Sequence, residues 1–164
     1  MSTHSKNLSE YQAEDIPSAE ELSFGIVVSR WNSQVTLAML DEAVKTLTDC
    51  GARSGNIHIH HVPGSFELPL GAQLVEERYS PDAVICLGCV IQGETRHFDY
   101  VCNGVTRGIT ELNLKYNKPF VFGVLTTNNL DQALARAGGK HGNKGVEAAL
   151  TAIKMATLKN RLSR

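Results

Sequence analysis

Short runs of apolar residues alternate along this chain with longer segments whose apolar residues recur at helical spacing. The first run, residues 24–29, is Phe-Gly-Ile-Val-Val-Ser, and a helical stripe from Val35 to Leu47 follows it. An unbroken apolar run is typical of a strand that is buried on both faces. Because strands that are separated by helices pair in parallel through right-handed crossovers, the alternation predicts an α/β fold.

The alternation continues along the chain. It predicts strands at residues 24–29, 56–62, 83–91 and 120–125, and helices at residues 35–47, 67–79, 98–112, 129–137 and 146–158, with a glycine-rich loop at residues 138–145. Isoleucines alternate with histidines in the second run, which indicates an edge strand, whereas the third run is apolar throughout and indicates a central one. The predicted architecture is a three-layer α/β/α sandwich around a four-stranded parallel sheet.

Length and charge limit the classes of protein that this fold can serve. The 164 residues suit one domain, with a polar N-terminal arm at residues 1–22 and a folded unit at residues 23–164. The net charge of −1 argues against nucleic acid or an anionic membrane as a partner. No apolar run approaches the roughly 18 residues of a membrane span, and no secretory signal follows Met1, so we expect a cytoplasmic protein.

Cys86 and Cys89 form a Cys-x-x-Cys sequence inside the predicted strand at residues 83–91. Three residues along a strand span about 10 Å, and the two side chains point to opposite faces. A disulfide needs Cα atoms closer than about 7 Å, so a redox or zinc role is rejected for this pair. Reduced, buried cysteines agree with the expected cytoplasmic location.

Ligands of parallel α/β sheets bind beyond the carboxyl ends of the strands. This rule selects the segments at residues 29–33, 62–67, 92–97 and 126–129, the last of which is interpreted as a helix cap. The chain has no dinucleotide-binding glycine motif, no P-loop and no nucleophile elbow, which excludes the usual nucleotide-binding and hydrolase sites.

Aromatic residues stand beside polar ones in the first two segments. Trp31, the only tryptophan, could stack on a flat heterocycle or pack against the following helix. Gly64 allows a ligand to approach the backbone closely, and Ser65 could cap the next helix. Phe66 and Glu67 together offer an apolar contact and a hydroxyl acceptor, which suits a polyol, although Glu67 is also favourable at a helix start.

The third segment combines a possible anion site with a titratable group. Gly93 and Thr95 precede a predicted helix whose first N–H groups could bind phosphate. His97 falls in the first turn of that helix. It is either an ordinary surface residue or a general acid and base, since imidazole exchanges protons near neutral pH.

Two further clusters carry positive charge or metal-binding side chains. Four potential cations surround the glycine-rich loop: Arg136, Lys140, His141 and Lys144. They could hold a phosphate or form a solvated loop. His58 and His60 share one face of the predicted edge strand, but no acidic or cysteine partner is obvious, so no metal site is predicted.

Five of these stretches, in this order, resemble the lumazine synthase family of riboflavin biosynthesis. They are F-G-I-V-V-S-R-W-N at 24–32, V-P-G-S-F-E-L-P at 62–69, G-C-V-I-Q-G-E-T-R-H-F-D-Y-V-C at 88–102, F-G-V-L-T-T at 122–127 and A-R-A-G-G-K-H-G-N-K-G at 135–145. The resemblance covers about residues 23–160 and implies a flavodoxin-like strand order. Five separated motifs make it highly specific.

The resemblance implies the penultimate step of riboflavin biosynthesis. In that reaction 5-amino-6-(D-ribitylamino)uracil condenses with (3S)-3,4-dihydroxy-2-butanone 4-phosphate to give 6,7-dimethyl-8-ribityllumazine, phosphate and water. No metal or organic cofactor is implied. A catalytically silent flavin- or lumazine-binding module on the same fold is the alternative, although the presence of Phe66, His97 and Arg136 favours the enzyme.

The resemblance also implies roles for individual residues. Those around the pyrimidine and its ribityl chain are Trp31, Asn32, Ser65, Phe66, Glu67, Val90 and Ile91. The phosphate loop is Gly93, Glu94 and Thr95, His97 transfers protons, and a neighbouring subunit delivers Phe122, Arg136 and Lys144. Two positions depart from the family pattern. Trp31 replaces a common Phe, and Glu94 replaces a small residue, so Glu94 is assigned only its backbone N–H.

A site completed by a neighbour implies a homo-oligomer, and the family forms pentameric rings. A ring repeats one heterologous interface until it closes. Arm residues 8–22 could add backbone to the sheet edge of the next subunit. Some members pack pentamers into an icosahedral 60-mer, which depends on a compact turn between the last two helices. The turn at residues 138–143 has no insertion, which favours the shell over a free pentamer or decamer.

Overall fold

The computed structural model describes residue 7 and residues 9–163. Its main sheet contains β1 (Phe24–Ser29), β2 (Ile57–Val62), β3 (Ala83–Ile91) and β4 (Phe120–Thr127). All neighbouring strands are parallel, in the order β2-β1-β3-β4. The main helices are α1 (Ser33–Asp49), α2 (Leu68–Tyr79), α3 (His97–Tyr116), α4 (Leu130–Ala135) and α5 (Lys144–Leu162). The predicted α/β/α sandwich with a four-stranded parallel sheet is confirmed.

Two cores lie on opposite faces of the sheet. Helices α1 and α5 pack on one face, and α2 and α3 pack on the other. Successive strand residues enter different cores, as the pleat of a strand requires. Cys86 belongs to the α2–α3 core and Cys89 to the α1–α5 core. The prediction that these two thiols point to opposite faces is therefore confirmed.

The predicted positions of the edge and central strands are also confirmed. β2 is at the edge of the sheet, and β3 lies between β1 and β4. The His58 ring stacks on Tyr79 of α2, with ring centroids 4.1 Å apart and an interplanar angle of 8°. His60 lies against the same ring at 5.4 Å. These two histidines therefore pack on α2 through an aromatic contact.

The sequence-based bounds of β4 and of the helix that follows it need correction. β4 runs to Thr127 because its last two residues pair with Val90 and Ile91 of the long strand β3. The helix predicted at residues 129–137 is the shorter α4, and the Asn129 side chain caps it by accepting from the Gln132 N–H at 2.9 Å.

The segment predicted as a loop at residues 138–145 is only partly a loop. It contains most of an antiparallel pair, β5 (Ala137–Gly139) and β6 (Gly142–Asn143), and its last two residues begin α5. Gly138 and Gly142 adopt φ values of 109° and 84°, which the chain reversal requires and which other residues rarely adopt.

Part of the predicted N-terminal arm, residues 1–6 and 8, lies outside the described residues. Ser9 donates a hydrogen bond from Oγ to the carbonyl of Asn143 at 3.0 Å. Ala19 and Leu22 are buried in the α1–α5 core. The described part of the arm thus packs on its own chain. Among the described helices, none has the length and apolar character needed to cross a bilayer.

Candidate active site

A cavity of about 690 Å³ opens at the carboxyl ends of β1, β2 and β3. Its wall includes ten of the residues predicted for the site: Trp31, Asn32, Ser65, Phe66, Glu67, Val90, Ile91, Gly93, Thr95 and His97. Glu94 does not line the cavity, although both of its neighbours do. The strand-end rule therefore placed the cavity correctly, and the loops after three strands build it.

Trp31 projects from the loop after β1 with 75% of its surface exposed. The alternative that it packs against the following helix is therefore wrong. Its backbone N–H donates to the Pro63 carbonyl at 3.1 Å, which continues the pairing of β1 with β2 beyond both strands. The loop that carries the indole is thus held against the loop that carries Phe66.

Asn32 anchors the same loop to β3. Its side-chain N–H donates to the Cys89 carbonyl at 2.9 Å. Its backbone adopts the left-handed conformation, with φ 57° and ψ 45°, which asparagine tolerates better than most residues. In this structure the Asn32 amide holds its loop in the cavity wall, because Nδ2 already donates to the Cys89 carbonyl.

The segment after β2 forms a 3-10 turn, Ser65–Glu67, that leads directly into α2. The expectation that Ser65 caps the helix is wrong, because Ser65 lies inside this turn and its buried Oγ has no hydrogen-bond partner among the described residues. Glu67 accepts a hydrogen bond through Oε2 from the Gly64 N–H at 3.0 Å. Within the described residues its Oε1 accepts none, so it can accept from a ligand hydroxyl.

The loop between β3 and α3 presents three consecutive backbone N–H groups. The Gln92 N–H still donates to the Thr127 carbonyl at 2.8 Å, which completes the sheet. The N–H groups of Gly93, Glu94 and Thr95 donate no hydrogen bond within the described part of the chain. They lie directly before the N-terminus of α3, where the helix dipole favours an anion.

His97 is exposed at the first position of α3, beside this anion-binding loop. Its backbone N–H lies 3.4 Å from Oγ1 of Thr95, which orients the start of the helix. The imidazole lines the cavity together with residues from the first turns of α3. A ligand that bridged the aromatic residues and the anion-binding loop would therefore pass close to His97.

The remaining three predicted residues lie elsewhere. Phe122 and Lys144 line a second cavity of about 330 Å³ between β4 and α5. Phe122 is paired with Cys86, three residues before Cys89 on β3, so about 10 Å of strand separates it from the first cavity. Arg136 joins the second group through Glu147, which also lines the second cavity.

Sequence reasoning missed Glu147. One of its carboxylate oxygens lies 2.9 Å from Nη2 of Arg136, and the other lies 3.2 Å from Nζ of Lys144. Arg136 also donates from Nη1 to the His141 carbonyl at 3.0 Å. The i,i+3 spacing of Lys144 and Glu147 gave no signal in the sequence, because the predicted helix begins at residue 146 and the structure begins α5 at Lys144. Of the four loop cations, the structure brings Arg136 and Lys144 together on one carboxylate.

The amino-acid sequence of this chain is similar to one family of known proteins. The model of the family described as 6,7-dimethyl-8-ribityllumazine synthase matches residues 21–160. A protein of that name from Cytophaga hutchinsonii is 59% identical over 155 residues, which cover 94% of this chain and 97% of the relative. The namesake from Parabacteroides distasonis is 55% identical with the same coverage. That from Flavobacterium johnsoniae is 51% identical over 99% of this chain and 86% of the relative.

The fold and the cavity define an α/β enzyme that binds small molecules at the carboxyl edge of its sheet. The chain belongs to the 6,7-dimethyl-8-ribityllumazine synthase family, and the resemblance predicted from its motifs is confirmed. It is accordingly a transferase of riboflavin biosynthesis.

Proposed function

We propose that this cavity condenses 5-amino-6-(D-ribitylamino)uracil with (3S)-3,4-dihydroxy-2-butanone 4-phosphate. The observation that carries the proposal is that exposed aromatic rings share one cavity with a row of N–H groups that have no hydrogen-bond partner among the described residues. Trp31 stacks on the pyrimidine, Phe66 contacts the ribityl chain, and Glu67 accepts hydrogen bonds from its hydroxyls. Ser65, Asn32 and the ends of β3 at Val90 and Ile91 complete this half of the site.

The phosphate of the second substrate binds to the backbone of Gly93, Glu94 and Thr95. Three N–H donors at a helix N-terminus suit an anion with several acceptor oxygens. Glu94 contributes only its N–H, because its carboxylate would repel the phosphate. In this proposal the carbon chain of the butanone lies between the phosphate loop and the stacked pyrimidine.

His97 moves the protons in this scheme. The amine of the pyrimidine attacks the ketone, and loss of water gives an imine. Phosphate then leaves by elimination, and closure of the ring releases a second water. Because the amine is already nucleophilic, most of the acceleration comes from holding the two reactants in register. An imidazole beside the phosphate loop can protonate the departing oxygen and accept a proton from carbon.

The second group of residues is proposed to complete the site of an adjacent subunit. Phe122 and Lys144 line the second cavity and not the first, and Arg136 pairs with Glu147 beside them. Nη1 of Arg136 is engaged by the His141 carbonyl, and Nη2 is paired with Oε1 of Glu147 at 2.9 Å. With Lys144 on the same carboxylate, the cluster keeps one net positive charge, which suits a phosphate that a neighbouring chain presents.

Shared sites of this kind require a closed ring, for which we propose a pentamer, and the compact hairpin β5–β6 favours packing of pentamers into an icosahedral shell. The proposed organisation is an N-terminal arm at residues 1–22 and a catalytic unit at residues 23–164. Four free cysteines are in keeping with a reducing compartment, so the cytoplasm is the proposed location.

The reaction is tested by mixing purified protein with both substrates and following the lumazine chromophore. Faster colour formation than in the protein-free control supports the enzyme. Binding of lumazine without any acceleration would support a silent binding module instead. Light scattering tests the assembly, because a species of five chains contradicts the shell, and a fully active monomer contradicts the shared site as well.

A further inference from the structure

We propose that Gly104 of α3 is a positioning residue that sets the place of the Phe66 ring and thereby the selectivity of the cavity for the ribityl-bearing substrate; this inference rests on the proposed function. A Cβ atom at position 104 would lie 2.8 Å from Cε2 and 3.4 Å from Cδ2 of Phe66. Carbon atoms do not approach so closely without displacement. The ring occupies space that only a glycine leaves free.

The backbone gives no other reason for a glycine at this position. Gly104 lies inside α3, and its φ is outside the left-handed region. A glycine inside a helix is less favourable than an alanine, because it loses more conformational freedom on folding. Its benefit must therefore come from packing, and the Phe66 ring supplies all three of the atoms nearest to the absent Cβ.

The same face of α3 continues toward the proposed proton-transfer residue. His97, Val101 and Gly104 follow one another at i, i+4 and i+7, a spacing that keeps them on one side of a helix. His97 and Val101 line the cavity. When the Phe66 ring packs against Gly104, it extends the cavity wall that His97 and Val101 form, and the cavity stays open.

The Phe66 ring is the part that yields when a side chain is added at Gly104. Its surface is 60% exposed, and its backbone belongs to a short turn before α2, so the ring can rotate at little cost. Because α3 blocks one side of the ring, the ring can move only toward solvent or into the cavity. The Gly104→Ala change therefore removes the apolar contact with the ribityl chain while the helix itself gains propensity.

The experiment compares steady-state kinetics of the wild type and Gly104→Ala with each substrate varied in turn. We expect KM for the ribitylaminouracil to rise about tenfold, with kcat and KM for the butanone phosphate within about twofold. Quenching of Trp31 fluorescence by a ribityl-pyrimidine analogue gives a readout that needs no turnover, since Trp31 is the only tryptophan and lines the cavity. Unchanged affinity in both measurements overturns the inference.

A matched control lies one turn further along α3. A Cβ at Gly108 would meet Cβ and Cγ of Pro69 at 2.7 Å, so Gly108→Ala brings a similar overlap and the same gain in helix propensity without touching Phe66. We expect it to leave KM for the ribitylaminouracil within about twofold of the wild type. An equal rise in both variants would show that helix spacing, and not the Phe66 ring, controls binding.

A double-mutant cycle completes the test. When Phe66 is already alanine, adding Gly104→Ala should change analogue binding by less than about twofold, because the two positions act through one ring. A further loss in that background overturns the inference. The double variant has no Phe66 ring and therefore no overlap at position 104. It can be compared with Phe66→Ala even where Gly104→Ala alone fails to fold. A wild type without turnover contradicts the proposed function, whereas an active wild type with an unaffected Gly104→Ala contradicts only this inference.

Discussion

Arg136 and Glu147 form an ion pair in which Nη2 of the guanidinium lies 2.9 Å from Oε1 of the carboxylate, although that oxygen accepts no hydrogen bond among the described residues. Lys144 approaches the other oxygen at 3.2 Å. The Arg136, Lys144 and Glu147 side chains are only 22%, 27% and 15% exposed. One carboxylate therefore holds two cations in a half-buried cluster, which keeps one net positive charge.

This arrangement predicts that Glu147→Gln destabilises the fold. Arg136 and Lys144 would lose their counter-charge in a place where water reaches them poorly. We expect the free energy of unfolding to fall by about 1–3 kcal/mol, measured by urea denaturation. The control is Asp49→Asn, which removes the exposed i,i+4 partner of Lys45 and should cost less than about 1 kcal/mol. Equal losses in the two variants would contradict the prediction.

Replacing Arg136 should separate the two substrates kinetically. In the proposed shared site, Arg136→Ala removes a charge-assisted contact with the phosphate, which is worth about 1.5–3 kcal/mol. KM for the butanone phosphate should therefore rise roughly 10- to 100-fold, while KM for the pyrimidine changes little. Lys140→Ala, which removes an exposed cation from the same hairpin, provides the comparison. Similar rises in KM for both substrates would remove Arg136 from the phosphate site.

A third prediction distinguishes proton transfer from binding at His97. His97→Ala should lower kcat about 10- to 100-fold, because the substrate amine needs less help than most nucleophiles. Binding of a ribityl-pyrimidine analogue, measured by calorimetry, should remain nearly intact. The exposed β2 residue His61 provides a control, as His61→Ala should leave both quantities unchanged. If affinity falls as much as the rate, His97 is a binding residue.

Alkaline pH should destabilise the protein through its buried thiols. Burial raises the pKa of Cys86 from its ordinary value of 9.0 to about 12, and that of Cys89 to about 11. Above pH 9 the unfolded chain loses protons that the native chain retains, so the free energy of unfolding falls as the pH rises toward 11 to 12. The slope should reach about 1.4 kcal/mol per pH unit for each thiol.

Urea denaturation of the wild type and Cys86→Ala between about pH 8 and pH 10 measures this slope. The variant should show a shallower decline, because it lacks one of the four thiols whose pKa burial raises. The comparison concerns the slope alone, so the small loss of packing at the substituted position does not affect it. Identical slopes would show that Cys86 does not contribute.

Much of the fold could be predicted because the segments with apolar runs in the sequence are the strands that the fold buries. β3 was predicted with its observed bounds, since all nine positions from Ala83 to Ile91 are apolar or glycine and polar residues flank them. β4 was predicted two residues short because Thr126 and Thr127 are polar. Their place in the sheet comes from pairing with β3, which a local pattern does not contain.

The candidate site could also be predicted in part from the sequence. The loops after parallel strands meet at one edge, so the grouping of Trp31, Phe66 and His97 followed from the topology. The hydroxyl of Ser65 was misassigned because a 3-10 turn precedes α2, and that turn depends on packing against β3 and α3. Glu147 escaped notice because its importance arises only where α5 meets the segment after α4.

On one chain, His97 and the first cavity lie apart from the group of Arg136, Lys144 and Phe122. This separation has a consequence for genetic complementation. In the proposed ring, a cell with only the His97→Ala allele or only the Arg136→Ala allele should form the lumazine slowly. A cell that expresses both should form it faster, since some sites in a mixed ring combine an intact His97 from one copy with an intact Arg136 from the next. Random assortment restores about a quarter of the sites in a closed ring. Two defective alleles of a single gene would then complement each other, whereas two alleles that damage the same group of residues would not.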